Sequence, residues 1–204
     1  MGFVINSADF IEYLKICADK MNAEKDVIAQ LDSASDKDYG WKELATAFSE
    51  LNRELEPMGD MPVYVVLRRM GLLLLGRVGS DCAMLFGSGY ISASRRIEGR
   101  DTLNCEELCQ VFDAICRDMM SRSKSKPGSK SVIDAIYPAA TKFTAYIDAE
   151  LDETQILQKV KKAALDGAFS TKSMQASDTE DVGAHVIALR IACLCDFITT
   201  RLIK

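Results

Sequence analysis

The sequence predicts an all-α protein, a single domain over residues 1–204 built as an up-and-down bundle or barrel of about eight antiparallel helices. Three observations predict it. Apolar residues recur at spacings of three and four nearly from end to end, and no stretch alternates with period two. Four prolines and twelve glycines are too few to punctuate many short strands. The periodic segments are joined by short connections, which make successive helices antiparallel neighbours. A composition of 48% hydrophobic and 27% charged residues is that of an ordinary globular chain.

Taken in order, Ser7 caps a first helix whose apolar stripe is Phe10, Ile11, Leu14, Cys17 and Met21. Asn22 caps a second, before Val27, Ile28 and Leu31. After an acidic turn, Trp41, Leu44, Ala45, Phe48, Leu51 and Leu55 mark a third. Pro57, Gly59 and Pro62 break the chain before a fourth helix at 63–78. Small residues at 78–89 open a fifth that runs to Gly99. Asn104 and Glu107 have capping-box spacing ahead of the stripe Leu108, Val111, Phe112, Ile115 and Met119. The basic stretch 121–131, SRSKSKPGSKS, is a loop. Helices follow at 132–148, with Pro138 inside, at 152–176, and at 184–202 after the polar break 177–183.

Bulk properties exclude some classes of function. The net charge of −5 offers no basic surface for nucleic acid, although Arg68, Arg69, Arg77, Arg95, Arg96 and Arg100 fall in one part of the chain. The most apolar run, 63–79, is interrupted by Arg68 and Arg69 and is too charged to span a bilayer. No targeting segment is recognisable, so the expected address is the cytoplasm. The seven cysteines form no CxxC pair, and one histidine is present to complete a zinc set. They read as reduced thiols used as small apolar residues, and His185 as a packing or surface residue.

Four polar or glycine-bearing breaks, at 32–40, 76–89, 125–134 and 177–183, are separated by even numbers of helices. In an up-and-down bundle they therefore share one end. That rim collects Asp32, Asp36 and Asp38, a glycine-rich helix start and a Pro-Gly-Ser-Lys turn. Helix N-termini with small residues receive phosphates, and Mg2+ takes carboxylate oxygens together with phosphate and water. The same aspartates also suit capping and solubility, and Gly79 and Gly87 also suit close helix packing. Lys37 stands between two of the carboxylates.

The stretches LDSASDKDYG, GRVGSDCAMLFGSGYI, SKSKPGSKSVIDAIYPA and STKSMQA, in that order, resemble the L subunit of dihydroxyacetone kinase over nearly the whole chain. The resemblance implies an eight-helix barrel binding ADP or ATP at one end, with Mg2+ held by Asp32, Asp36 and Asp38. It implies nucleotide contacts at Tyr39, at the cradle Gly79, Ser80, Asp81, Cys82 and Ala83, and at Ser129, Lys130, Asp181 and Gly183. It assigns no catalytic side chain here. It implies a K-type partner subunit that holds dihydroxyacetone on a histidine. In some members a phosphohistidine protein recharges the bound nucleotide, and a homodimer is compatible with the family. The chain would then be a phosphotransferase subunit, inactive without its partner. The departures gather at the chemical end. Tyr39 replaces a histidine, Lys37 a small residue, Ser129 an aspartate, and one residue is missing between Asp32 and Asp36. Asp81 in the cradle is as much a helix cap as a ligand. The nucleotide lid is cut to residues 177–184 and carries no arginine. The alternative reading is a catalytically impaired L-type paralogue acting as a regulatory or partner-binding protein.

Overall fold

The computed structural model describes residues 2–35, 40–175 and 178–203, the side chains of 42, 45 and 46 excepted. Among these residues run nine α-helices and no strand. They are α1 (Ser7–Ala23), α2 (Lys25–Ser33), α3 (Trp41–Leu55), α4 (Val63–Arg77), α5 (Asp81–Arg96), α6 (Cys105–Ser123), α7 (Ile133–Asp148), α8 (Glu153–Ser170) and α9 (Val182–Arg201). Short 3-10 turns follow α3 (Glu56–Met58) and α8 (Thr171–Ser173). α1 passes into α2 through the single residue Glu24, at φ −100° and ψ 12°, too short a joint to reverse the chain. The two form one bent rod, which reconciles nine helices with an eight-rod bundle.

Local chemistry sets the helix starts. Asn6, rather than Ser7, caps α1 in a full capping box with Asp9. Ser7 instead donates its hydroxyl to the Met61 carbonyl at 2.5 Å. Asn104 and Glu107 form the capping box that their spacing predicts. Asn22 lies within α1 and bonds Ser49 from its side chain, so it caps nothing.

The connections alternate between the ends of the bundle. At the end opposite the predicted rim, the Ile5–Leu103 bridge and Phe3 N–H on Glu153 Oε2 tie residues 2–7 to the links before α6 and α8, and Val63 N–H on the Asp101 carbonyl joins the start of α4 to the link before α6. Three of the six arginines pair with carboxylates. Arg69 and Arg77 pair with Glu54 along α4, and Arg100 pairs with Glu107 beyond α5.

One apolar core fills the bundle, with Trp41, Phe48 and Phe86 meeting edge to face at centroid distances of 5.9–6.0 Å. Gly87 faces Gly71 where α4 crosses α5. The seven cysteines are unpaired and buried. By length and composition α9 could cross a membrane, more so than the run at 63–79. It is instead mostly buried within the bundle, against α1, α7 and α8.

Arg190 of α9 is a charge inside this core, 3% exposed. It donates to Tyr90 Oη at 2.5 Å and to Met21 Sδ at 3.7 Å, and its guanidinium stacks 3.9 Å over the Phe48 ring. It makes no carboxylate pair among the described residues. A hydrogen bond from Cys193 and the nearby guanidinium push the Cys17 thiol down to about 7. An apolar cavity of about 70 Å³ adjoins the arginine, too small for a nucleotide.

Candidate functional site

The four breaks meet at one rim, as their even spacing predicts. Gly40, in the left-handed region at φ 75°, begins α3, and a Cβ there would lie 2.5 Å from Ser80 Cβ at the start of α5. The same junction is closed by Cys82 Sγ, which donates to the Gly40 carbonyl at 3.0 Å. Trp41 packs against Gly183 at the start of α9. Lys130, in the loop before α7, donates from its ammonium to the carbonyls of Thr171 and Thr179. Four segments distant in sequence are thereby fastened around a cleft of about 560 Å³, lined by Trp41, Asp81, Met84, Arg122, Lys130 and Asp181 among others. That volume is in the range of small-molecule sites.

Within this frame Ser80 is the cap of α5, its Oγ accepting from Ala83 N–H at 3.4 Å. Asp81 is therefore not the cap; its exposed side chain lines the cleft. Cys82 and Ala83 are fully buried, and burial pushes the Cys82 thiol up to about 12, so it packs and does not react. Gly79 is exposed, with nothing within 4 Å of where a Cβ would stand, so helix packing does not account for it. Gly87 is the one that helix packing explains. Ser129 turns inward on its own loop, accepting from Lys126 N–H at 3.2 Å, and does not line the cleft. The loop is held by buried Asp134, whose carboxylate accepts from Gly128 N–H and Ser131 N–H.

Asp32 lies half-buried in the last turn of α2, close enough for its charge to act on the Cys82 thiol. Asp36, Asp38 and Tyr39 lie outside the described residues. Among the described residues no cluster of three metal-ligating side chains forms.

Asp181 caps α9, accepting from Ala184 N–H at 2.8 Å. Burial outweighs this bond and the nearby Lys130, and raises its carboxyl to about 6. The folded state thus binds an extra proton between about pH 4 and 6, and stability falls as pH rises through that window. Asp181→Asn keeps a cap acceptor without the charge. It is expected to gain about 1 kcal/mol at pH 7.5 and nothing below pH 4, read by urea denaturation.

His185 is half-buried between two carboxylates, Nδ1 at 3.2 Å from Glu180 and Nε2 at 3.1 Å from Glu24. Lys172 approaches Glu180 at 3.9 Å from the other side. The Glu180 hydrogen bond, then Glu24, raises the imidazole above its ordinary value. The ion pairs it forms when protonated are complete below the ordinary histidine range and fade as pH rises through the raised value. His185→Gln is expected to cost about 0.5–1 kcal/mol at pH 6 and less at pH 9, the melting temperature being the readout.

Arg122 is the cleft residue that sequence reading passed over. It ends α6 beside the basic loop, and its Nε donates to Asp118 one turn earlier at 3.0 Å. The i, i+4 spacing was the available signal.

Fold and rim together define the class: an all-helical protein with a polar ligand cleft where alternate helix connections converge. The chain belongs to the DAK2 domain family, which it matches over residues 33–185. It is 28% identical over 173 residues to the ADP-binding subunit DhaL of the PEP-dependent dihydroxyacetone kinase of Escherichia coli (strain K12), covering 84% of this chain and 82% of that one. It is 29% identical over 138 residues to the ADP-binding subunit DhaL of PEP-dependent dihydroxyacetone kinase 2 of Listeria innocua, covering 66% and 63%. The dihydroxyacetone kinase from C. freundii, solved with AMP-PNP and Mg2+, has the same fold over 91% of this chain, with a TM-score of 0.68 at 20% identity. This chain spans 33% of that kinase's length.

Proposed function

We propose that the chain works as one unit, the nucleotide-binding L-type subunit of a dihydroxyacetone kinase, taking ADP or ATP with Mg2+ in the rim cleft. The observation that carries this reading is the convergence of the α3 start, the α5 start, the Lys130 loop and Asp181 on one cleft of about 560 Å³. The family match and the ADP-binding relatives support it.

The described residues fit the group. The cap of α5 engages the Ala83 amide, and Gly79 leaves the approach to the first turn of that helix open. Asp32 is an oxygen donor of the type Mg2+ takes, and Asp36 and Asp38 would complete the set. When bound, Mg2+ neutralises phosphate charge during phosphoryl transfer. This chain's own part is to position. Ser80 fixes the first turn of α5, Gly40 seats the start of α3 against it, Asp134 shapes the loop, and Lys130 ties that loop to residues 171 and 179. The phosphoryl acceptor, dihydroxyacetone, is held by a K-type partner that docks on this rim. The PEP-dependent naming of both relatives supports recharging of the nucleotide by a phosphohistidine protein.

Calorimetric titration with ADP and Mg2+, followed by assay of dihydroxyacetone phosphate formation with a purified K subunit, tests the reading. Micromolar binding and turnover are expected. Absence of heat at millimolar nucleotide overturns it.

A further inference from the structure

The cleft holds two cationic side chains, Arg122 and Lys130. The Lys130 ammonium is already spent on two backbone carbonyls. Arg122 is arranged differently. Its Nε donates to Asp118 Oδ2 at 3.0 Å, and the same oxygen accepts the hydroxyl of Ser88 at 2.5 Å. Ser88 is 5% exposed on α5, where its Oγ also lies 3.2 Å from the Leu85 carbonyl. A buried hydroxyl thus fixes a carboxylate, and the carboxylate fixes the guanidinium by one edge. Both Nη groups remain without a partner among the described residues, on a side chain that lines the cleft and is half exposed.

We infer that Arg122 is the phosphate-binding cation of the rim cleft, taking a di- or triphosphate through its free Nη groups, with Asp118 and Ser88 as positioning residues. This rests on the nucleotide-site reading above. Three features carry it. The segment 177–184, which brings Asp181 to the cleft, contains neither arginine nor lysine and so supplies it no cation. A guanidinium presents a planar fork that matches phosphate oxygens, which an ammonium does not. Fixing Nε beforehand reduces the rotamer freedom that binding must remove.

The test is calorimetric titration of the full chain with MgADP for wild type, Arg122→Ala, Arg122→Lys and Ser88→Ala, with helical circular dichroism as the check on folding. Arg122→Ala is expected to weaken binding roughly 10- to 100-fold, the loss of a charge-assisted contact. Arg122→Lys, which keeps the charge and loses the fork, is expected to fall between. Added methylguanidinium should restore part of the affinity to Arg122→Ala and none to wild type, a response that a merely structural arginine would not give. Ser88→Ala should weaken binding several-fold with its melting temperature little changed. Wild-type binding together with unchanged affinity in Arg122→Ala overturns the inference and leaves the nucleotide site standing. No binding by wild type overturns both. If Arg122→Ala loses its helical spectrum, Arg122→Lys decides by the same criterion.

Discussion

Gly167→Ala is expected to cost about 3 kcal/mol or more, measured by urea or thermal unfolding. The reason starts in α7. Pro138 has no N–H, so the carbonyl of Asp134, four residues earlier, lacks its regular helical donor. α8 comes in against that carbonyl at Gly167. A Cβ there would stand 2.1 Å from the Asp134 oxygen and 3.0 Å from Pro138 Cγ. The first obstacle is backbone and cannot rotate aside, so α7 and α8 must separate. Asp134 also holds the loop that carries Lys130, so the separation would be felt at the rim. Asp166→Ala, next door but exposed, is expected to stay within about 0.5 kcal/mol. A cost below about 1 kcal/mol for Gly167→Ala would refute this account of the interface.

The second large effect concerns Arg190. Arg190→Ala is expected to lose about 3 kcal/mol, because it empties the space between Phe48, Tyr90 and Met21. Arg190→Met should fill most of that space without a buried charge, and is expected to match or exceed wild type. The pair separates volume from charge. The charge also has a pH signature. Cys17 has a folded value of about 7, below the ordinary thiol value of 9.0. The unfolded chain therefore holds the proton that the folded chain has lost between these values, and wild-type stability should rise with pH across that window. The Cys193 hydrogen bond, the larger cause of the lowered value, remains in Arg190→Met, so there the rise should lessen without vanishing. Equal losses in both variants, or an unchanged pH slope in Arg190→Met, would contradict the assignment.

Much of this architecture is legible in the sequence because helical periodicity is a local signal. Phe10, Leu14, Cys17 and Met21 declare the buried face of α1 without reference to any other element. The rim was equally accessible, since it depends on the parity of the connections. What depends on single atoms was not. Ser7 and Asn6, like Asp81 and Ser80, are adjacent capping candidates, and the backbone selects one of each pair. Hydropathy pointed to residues 63–79, whereas the longest apolar helix is α9, whose one buried cation disguises it. Arg122 was invisible for a further reason: its orientation is set by Ser88, thirty residues from Asp118. The aspartates at 36 and 38 remain an expectation of sequence, outside the described residues.

Several contacts across the bundle join residues far apart along the chain. Glu24 meets His185 across 161 positions, Glu153 meets Phe3 across 150, and Arg201 meets Glu12 across 189. Contacts of that span form late, since they close the longest loops. The rim therefore comes into being when the final helix seats against the first, and partly folded bundles would lack it. A molecule that binds there recognises only the finished state and draws the folding equilibrium toward it by mass action. Occupancy of the cleft is thus coupled to closure of the whole ring of helices.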